Sequence, residues 1–489
     1  MTKTLNILLV ILLFSALFAQ KPDKETPSQP IILRNSDSLL GSKTESGNIR
    51  EFIGNVVFEQ GNVIVSGDRA IHFIDENRAQ IFGNVKIIQD DMILQSDEIY
   101  YDGNRGIAKS PKGISIRDKN TNLNAEFGEY NTKTQIADFI NNVQIADDTV
   151  KIKSDSVKYF RKSRLSYAYG NVQIEDDSTI IIADIVEYNR NDRQSNAFGN
   201  VFIRSKLQQV FLTGDSVLNY PSEKYTIATG KPTLIQIDTT DKREEAIELP
   251  EINPQRNNQA VFFNNRYYAQ SGDNSIFSFR LDTIIISADT MESFRSGGKE
   301  LYFFKKNVQV FGSSIKGKAD LVIYDRLQDK VELLGSPIVW YDSTQIVGDT
   351  LNVKLLNKKI NEITALGNAF TASRDDTLNP TRINQIFGQK ILIKFENDTI
   401  NGVFSFGDAK SLYFLRSEES EEGVSRYGCD SLYVEFKDGK AIKIHWLGSV
   451  VGEYIPENIL FNSSEYYFLP NFKWNDKKPT KKQIKIRSI

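Results

Sequence analysis

A turn-and-strand phrase returns along this chain at a fixed interval, and it limits the possible folds more than any other feature. It reads Gly54-Asn55-Val56, Gly83-Asn84-Val85, Asn141-Asn142-Val143, Gly170-Asn171-Val172 and Gly199-Asn200-Val201, at steps of 29, 58, 29 and 29 residues. Lys112-Gly113-Ile114 fills the double step as a degenerate copy; Asn307-Val308, Gly335-Ser336-Pro337 and Gly367-Asn368-Ala369 follow later. Gly and Asn both tolerate positive φ, so the pair marks a turn at a strand start. A second phrase keeps the same register: an acid, then residues two and four positions on that are mostly apolar. It runs Asp97-Ile99-Tyr101, Glu126-Gly128-Tyr130, Asp155-Val157-Tyr159 and Asp184-Val186-Tyr188, and its acid returns at Asp215, Asp289, Asp320, Asp349 and Asp430.

Between the phrases, stretches such as Val143-Gln144-Ile145 and Val150-Lys151-Ile152 alternate apolar and polar residues, the period of a strand with one buried face. A 29-residue unit holds two to four short strands and cannot bury its apolar face alone; stacked units can. The expected fold is therefore all-β and repetitive. Twenty Tyr and 30 Phe against three Met and 13 Pro agree, because rings pack well on pleated surfaces. By length alone, 489 residues would suggest about three domains. The repeat revises that to one long stack, or two around an interruption.

The acids invite a reading as a calcium or catalytic ladder. Calcium repeats gather several oxygens in one short loop, whereas here one acid recurs every 29 residues with strand between. A structural corner is the favoured reading, with the acid bonding backbone where the chain bends between two sheets. The tyrosines at 101, 130, 159, 188 and 324 could stack on sugars, but half-buried strand packing suits them better. One Cys (Cys429) and two His (His72, His445) leave no disulfide framework and argue against zinc sites and Cys–His nucleophile pairs. A net charge of −3 argues against an electrostatically driven nucleic-acid binder. We expect no catalytic residues, no metal and no cofactor.

Residues 1–19 read as an export signal: Lys3, an apolar run from Leu5 to Phe18, then Ala19. This predicts a mature protein outside the cytoplasm. Residues 20–47 read as a linker, 48–235 and 276–470 as two repeat regions, the second more divergent, and 471–489 as a basic tail with Lys477, Lys478, Lys481, Lys482, Lys485 and Arg487. Residues 236–275 keep no repeat and read as an insertion, with an aromatic patch at Phe262, Phe263, Tyr267 and Tyr268.

Taken in order, Gly54-Asn55-Val56-Val57-Phe58, Ser96-Asp97-Glu98-Ile99-Tyr100-Tyr101 and Ala183-Asp184-Ile185-Val186-Glu187-Tyr188 resemble the OstA-like, LptA-like periplasmic family of lipopolysaccharide transport. The likeness is densest over 48–220 and looser over 281–370. It implies a β-jellyroll of two sheets meeting in a V, with lipopolysaccharide acyl chains along the interior. It also implies other transport jellyrolls as partners, joined end to end by strand addition into a bridge to the outer membrane. By alternation, the inward residues that would line the lipid groove are Val56, Phe58, Val85, Ile87, Ile99, Val143, Ile145, Val157, Val172, Ile174 and Val186. Rival readings are a secreted adhesin or structural stalk, a polysaccharide-active β-helix enzyme, and an outer-membrane barrel, whose strands would need about ten residues each.

Overall fold

The structure is a computed structural model. It describes residues 29–44, 47–206, 210–245, 261–263, 266–270, 276–357, 359–374, 381–416, 421–437, 440–460 and 467–480, with side chains between 237 and 283 left aside. The export-signal segment, the end of the basic tail and the side chains of the aromatic patch lie outside the described residues. Among the described residues the chain forms 34 strands and one helical turn, Glu457–Leu460. It divides into two compact units, 1–169 and 170–489, and each is taken by itself.

The first unit begins with strand where a linker was expected: Ile32–Asn35 and Ser38–Thr44 both pair with Gly47–Gln60. From there long strands run antiparallel to their chain neighbours: Gly47–Gln60, Val63–Phe73, Arg78–Gln89 and Met92–Asp102. Each pairing breaks register at one place, between Ile53 and Val56, Ser66 and Arg69, and Phe82 and Val85. These breaks are bulges, and a bulge bends a strand and sharpens its twist. At Gly54-Asn55 φ is 78° and 44°, at Gly83-Asn84 70° and 46°, and at Asn141-Asn142 65° and 49°. Two successive left-handed residues turn the strand through a corner, which is what Gly and Asn supply.

The recurring acid sits at that corner, but its partner is not its own backbone. Asn84 Nδ2 donates to Asp68 Oδ2 at 2.8 Å, Asn55 Nδ2 to Asp37 Oδ2 at 3.0 Å, and Asn142 Nδ2 to Glu126. A Cβ on Gly54 or Gly83 would collide with the Asp37 or Asp68 carboxylate. The two sequence phrases are thus halves of one interaction, the acid of one strand meeting the Gly-Asn of the next. Where Lys112-Gly113 replaces Gly-Asn, the long strands give way to four short ones: Ile107–Ser110, Ile114–Asp118, Thr121–Ala125 and Phe127–Asn131. There Ser96 Oγ and Ser110 Oγ take over, 2.8 Å apart and both bonded to the Gly113 carbonyl.

Beyond its corner, each strand's two halves lie in different layers that face one another. Phe52, before the bend, meets Phe58, after it, edge to face at 5.4 Å, and Phe58 meets His72 at 5.6 Å. The core lies between these layers.

The second unit repeats the corner: Asn200 donates to Asp184 at 2.8 Å, Asn307 to Asp289 at 2.8 Å, and Asn368 to Asp349 at 3.2 Å. Strand Thr233–Glu245 runs into the stretch read as an insertion and pairs antiparallel with Ile276–Ser287 just beyond it, and Arg266–Gln270 within the stretch pairs with that same Ile276–Ser287 strand. The segment read as the start of a basic tail is docked. Trp340 Nε1 donates to the Asn475 carbonyl at 3.0 Å, and Gln345 bonds both the Lys473 carbonyl and the Asn475 amide. With Leu460 and Leu469 it covers a second apolar cluster at Phe370, Leu412, Phe414, Val424 and Ile455.

Candidate functional site

All eleven inward residues named from alternation are buried. Eight of them lie in the first unit: Val56, Phe58, Val85, Ile87, Ile99, Val143, Ile145 and Val157. Val172, Ile174 and Val186 belong to the second. In the first unit the strand register joins several into one row. Phe58 lies opposite Val65, Val65 opposite Ile87, Ile87 opposite Leu94, and Leu94 opposite Ile116. Ile116 then faces Leu123, Leu123 faces Ile145, and Ile145 faces Ile152. Every member is buried. Seven inter-strand steps make the row about 34 Å long at the usual strand spacing of roughly 4.8 Å.

The facing layer carries Ile81 opposite Ile99, and then a wall in which tyrosine alternates with alanine. Tyr101 lies opposite Ala108, Ala108 opposite Tyr130, Tyr130 opposite Ala137 and Ala137 opposite Tyr159. Alternation of small and large residues leaves room for rings to lie across the interior.

These tyrosines close the side of the interior opposite the corners. Tyr101 Oη donates to Gln60 Oε1 at 2.5 Å, while Gln60 Nε2 donates to the Gly103 carbonyl at 2.9 Å. One repeat on, Tyr130 Oη donates to Gln89 Oε1 at 2.7 Å and Gln89 Nε2 to the Thr132 carbonyl at 3.0 Å. A further repeat on, Tyr159 Oη reaches Asp118 Oδ2 at 3.3 Å. Each bond joins residues 41 apart in the chain and ties the end of one layer to the end of the other. Arg161 reinforces the last clasp, with Nη1 3.1 Å from Asp90, Nη2 2.5 Å from Asp91 and Nε 3.4 Å from Asp118. Burial pushes the Tyr130 hydroxyl up to about 12 and raises Tyr101 as well, so both donate as neutral phenols at neutral pH. His72 is held below the usual histidine range by burial and then by the Arg50 charge, and its Nε2 has no hydrogen-bond partner. It therefore sits in the interior as a neutral ring against Phe58.

Alternation named three of the row's eight residues, Phe58, Ile87 and Ile145, and none of the clasp's polar partners. The tyrosines were visible at their spacing of 29, but Gln60, Gln89 and Asp118 are 41 residues away and of two residue types. Their own spacing of 29 was the one available signal. A cleft of about 910 Å³ follows the corners, lined by the polar Asn55, Asp68, Asn84, Asp97 and Lys112 together with the apolar Val56, Val85 and Ile114. Among the described residues no three His, Cys, Asp or Glu side chains gather as a metal site would require. Of the recurring acids, Glu126, Asp184, Asp289 and Asp349 accept from corner asparagines, and Asp430 accepts from Ser449 Oγ at 3.3 Å.

Two protein families match the chain in overlapping segments. The OstA-like protein family matches residues 28–184, and the family of LptA and LptD N-terminal lipopolysaccharide-transport proteins matches residues 151–359. Together these matches make residues 28–359 OstA/LptA-like in sequence. The first match contains the whole apolar row and every clasp. Among solved structures, LptH of Pseudomonas aeruginosa, described as the LptA-homologous periplasmic component of the lipopolysaccharide transport device, is 18% identical. The alignment covers 26% of this chain and 80% of that one, with a TM-score of 0.22. Comparison with curated proteins finds no match.

Proposed function

We propose that this OstA/LptA-like chain is a periplasmic carrier that holds the acyl chains of lipopolysaccharide between its two strand layers. The observation that carries this reading is the unbroken apolar row from Phe58 to Ile152, closed opposite its corners by three tyrosine clasps and the Arg161 ion pairs. The magnitudes favour opening by lipid. A net hydrogen bond contributes about 0.5–1.5 kcal/mol, so three clasps hold the layers by a few kcal/mol. Each methylene moved out of water returns roughly 0.8 kcal/mol, and an acyl chain of about ten would return about 8 kcal/mol. An acyl chain can therefore displace the clasps and take over the cover they give the interior.

The same reading includes assembly. Ile32–Asn35 and Ser38–Thr44 pair with one strand each, and so do Lys440–Leu447 and Val451–Pro456 at the other end of the described chain. They carry exposed apolar residues, among them Leu39, Leu40, Ile442 and Val451. Unblunted edges of this kind favour strand addition, and partner jellyrolls of the transport system added there would extend the path towards the outer membrane. The test is binding of the purified chain to lipopolysaccharide against the same molecule stripped of its acyl chains. We expect the intact lipid to bind and to raise the melting temperature, and the deacylated one to do neither. Equal binding of the two would place recognition on the sugar and phosphate and refute an acyl path.

A further inference from the structure

We propose that the docked C-terminal segment and the strand face beneath it form a landing surface for an anionic phospholipid bilayer. The segment is fixed by backbone bonds to Trp340 and Gln345, which turns lysines of a basic tail into a placed array. Lys318 Nζ donates to the Lys477 carbonyl and lies 5.9 Å over the Trp340 ring. Lys478 Nζ donates to the Asp342 carbonyl at 3.2 Å. Burial first, then the nearby Lys316 and Arg374 charges, hold the Lys478 ammonium below the usual lysine range. Like charges kept this close in a chain whose net charge is −3 point to an anionic partner. Two carboxylates, Asp342 and Asp476, act on Lys478, and Asp476 is engaged by Arg374 at 3.0 Å and by Trp474 Nε1 at 2.7 Å.

Two features select a bilayer over a single phosphate group. The cations are mainly lysines on separate segments, which act as point charges; a built phosphate cradle favours arginine forks. Aromatic rings lie among them. Phe468 is 38% exposed and stacks on Phe472 at 5.0 Å, and Trp474 lies under the Arg374 guanidinium at 4.8 Å. Aromatic and basic residues side by side are the composition of a membrane interface. Lys481, Lys482, Lys485 and Arg487 follow in the sequence.

The test is flotation of the full chain with vesicles of phosphatidylcholine alone and of phosphatidylcholine with phosphatidylglycerol, free of lipopolysaccharide so that the outcome is independent of acyl-chain carriage. We expect binding to the anionic vesicles only, weakening as salt is raised. Lys473→Gln with Lys477→Gln changes exposed side chains, and Lys316→Gln with Lys318→Gln changes the strand face. Each pair should weaken binding by roughly 30-fold, at about fivefold per lysine. Equal binding to neutral vesicles, or no binding to either, would overturn the proposal. So would a loss confined to the Lys473 and Lys477 pair, because a tail acting alone needs no strand face. An unchanged circular dichroism spectrum verifies folding of each variant.

Discussion

At Gly83 and Asn84 two left-handed residues and one carboxylate decide where a strand leaves one layer and enters the other. Gly83→Ala puts a side chain at φ 70° and drives it into Asp68; left-handed backbone alone costs an L-residue roughly 1–2 kcal/mol. Asn84→Ala removes an exposed hydrogen bond, with a loss of about 1 kcal/mol, and leaves Ala at φ 46°, which Asn tolerates better. In urea the transition of the first unit should therefore move down for both, and further for Gly83→Ala. His72 adds a pH dependence of definite sign. Its folded pKa is below the ordinary 6.5, so its contribution is present above 6.5 and is lost as pH falls through the folded value. Melting of the first unit should decline on acidification below about 6.5, and His72→Leu should flatten that decline.

Strands and rims are legible in the sequence to different degrees. The alternation around Val143 and Ile145 announced both the strands and their inward face, because period two is a local signal. The Gly-Asn phrase announced the bend for the same reason. The clasp joins two turn ends, and nothing local to Tyr130 names Gln89 as its partner. The acid's true partner was hidden in the same way, since Asp68 and Asn84 belong to different strands. At this scale Tyr130→Phe is informative: it leaves the buried Gln89 Oε1 without its donor, at a cost of about 1–3 kcal/mol. Hydrogen exchange should quicken at the rim around 89–91 and 132–135 and stay unchanged at the 83–84 corner. A uniform increase across the first unit would mean that the clasp is ordinary core packing.

For the whole molecule, each unit was only partly readable. The corners of the second unit at Asp184, Asp289 and Asp349 follow the sequence phrases. Its docked C-terminal segment does not, because Trp340 and Asn475 are 135 residues apart and the lysines between them and the chain end look like an unanchored tail. Carriage of lipid between the layers remains the claim on which the rest depends. It is tested most directly by a photo-crosslinking residue placed in cells at Ile145, inside the row, and at Ile64 and Ile93, the exposed chain neighbours of the row members Val65 and Leu94. Lipopolysaccharide adducts at Ile145, with few or none at Ile64 and Ile93, are the expected result. Adducts at the outward positions alone, or at none of the three, would contradict it.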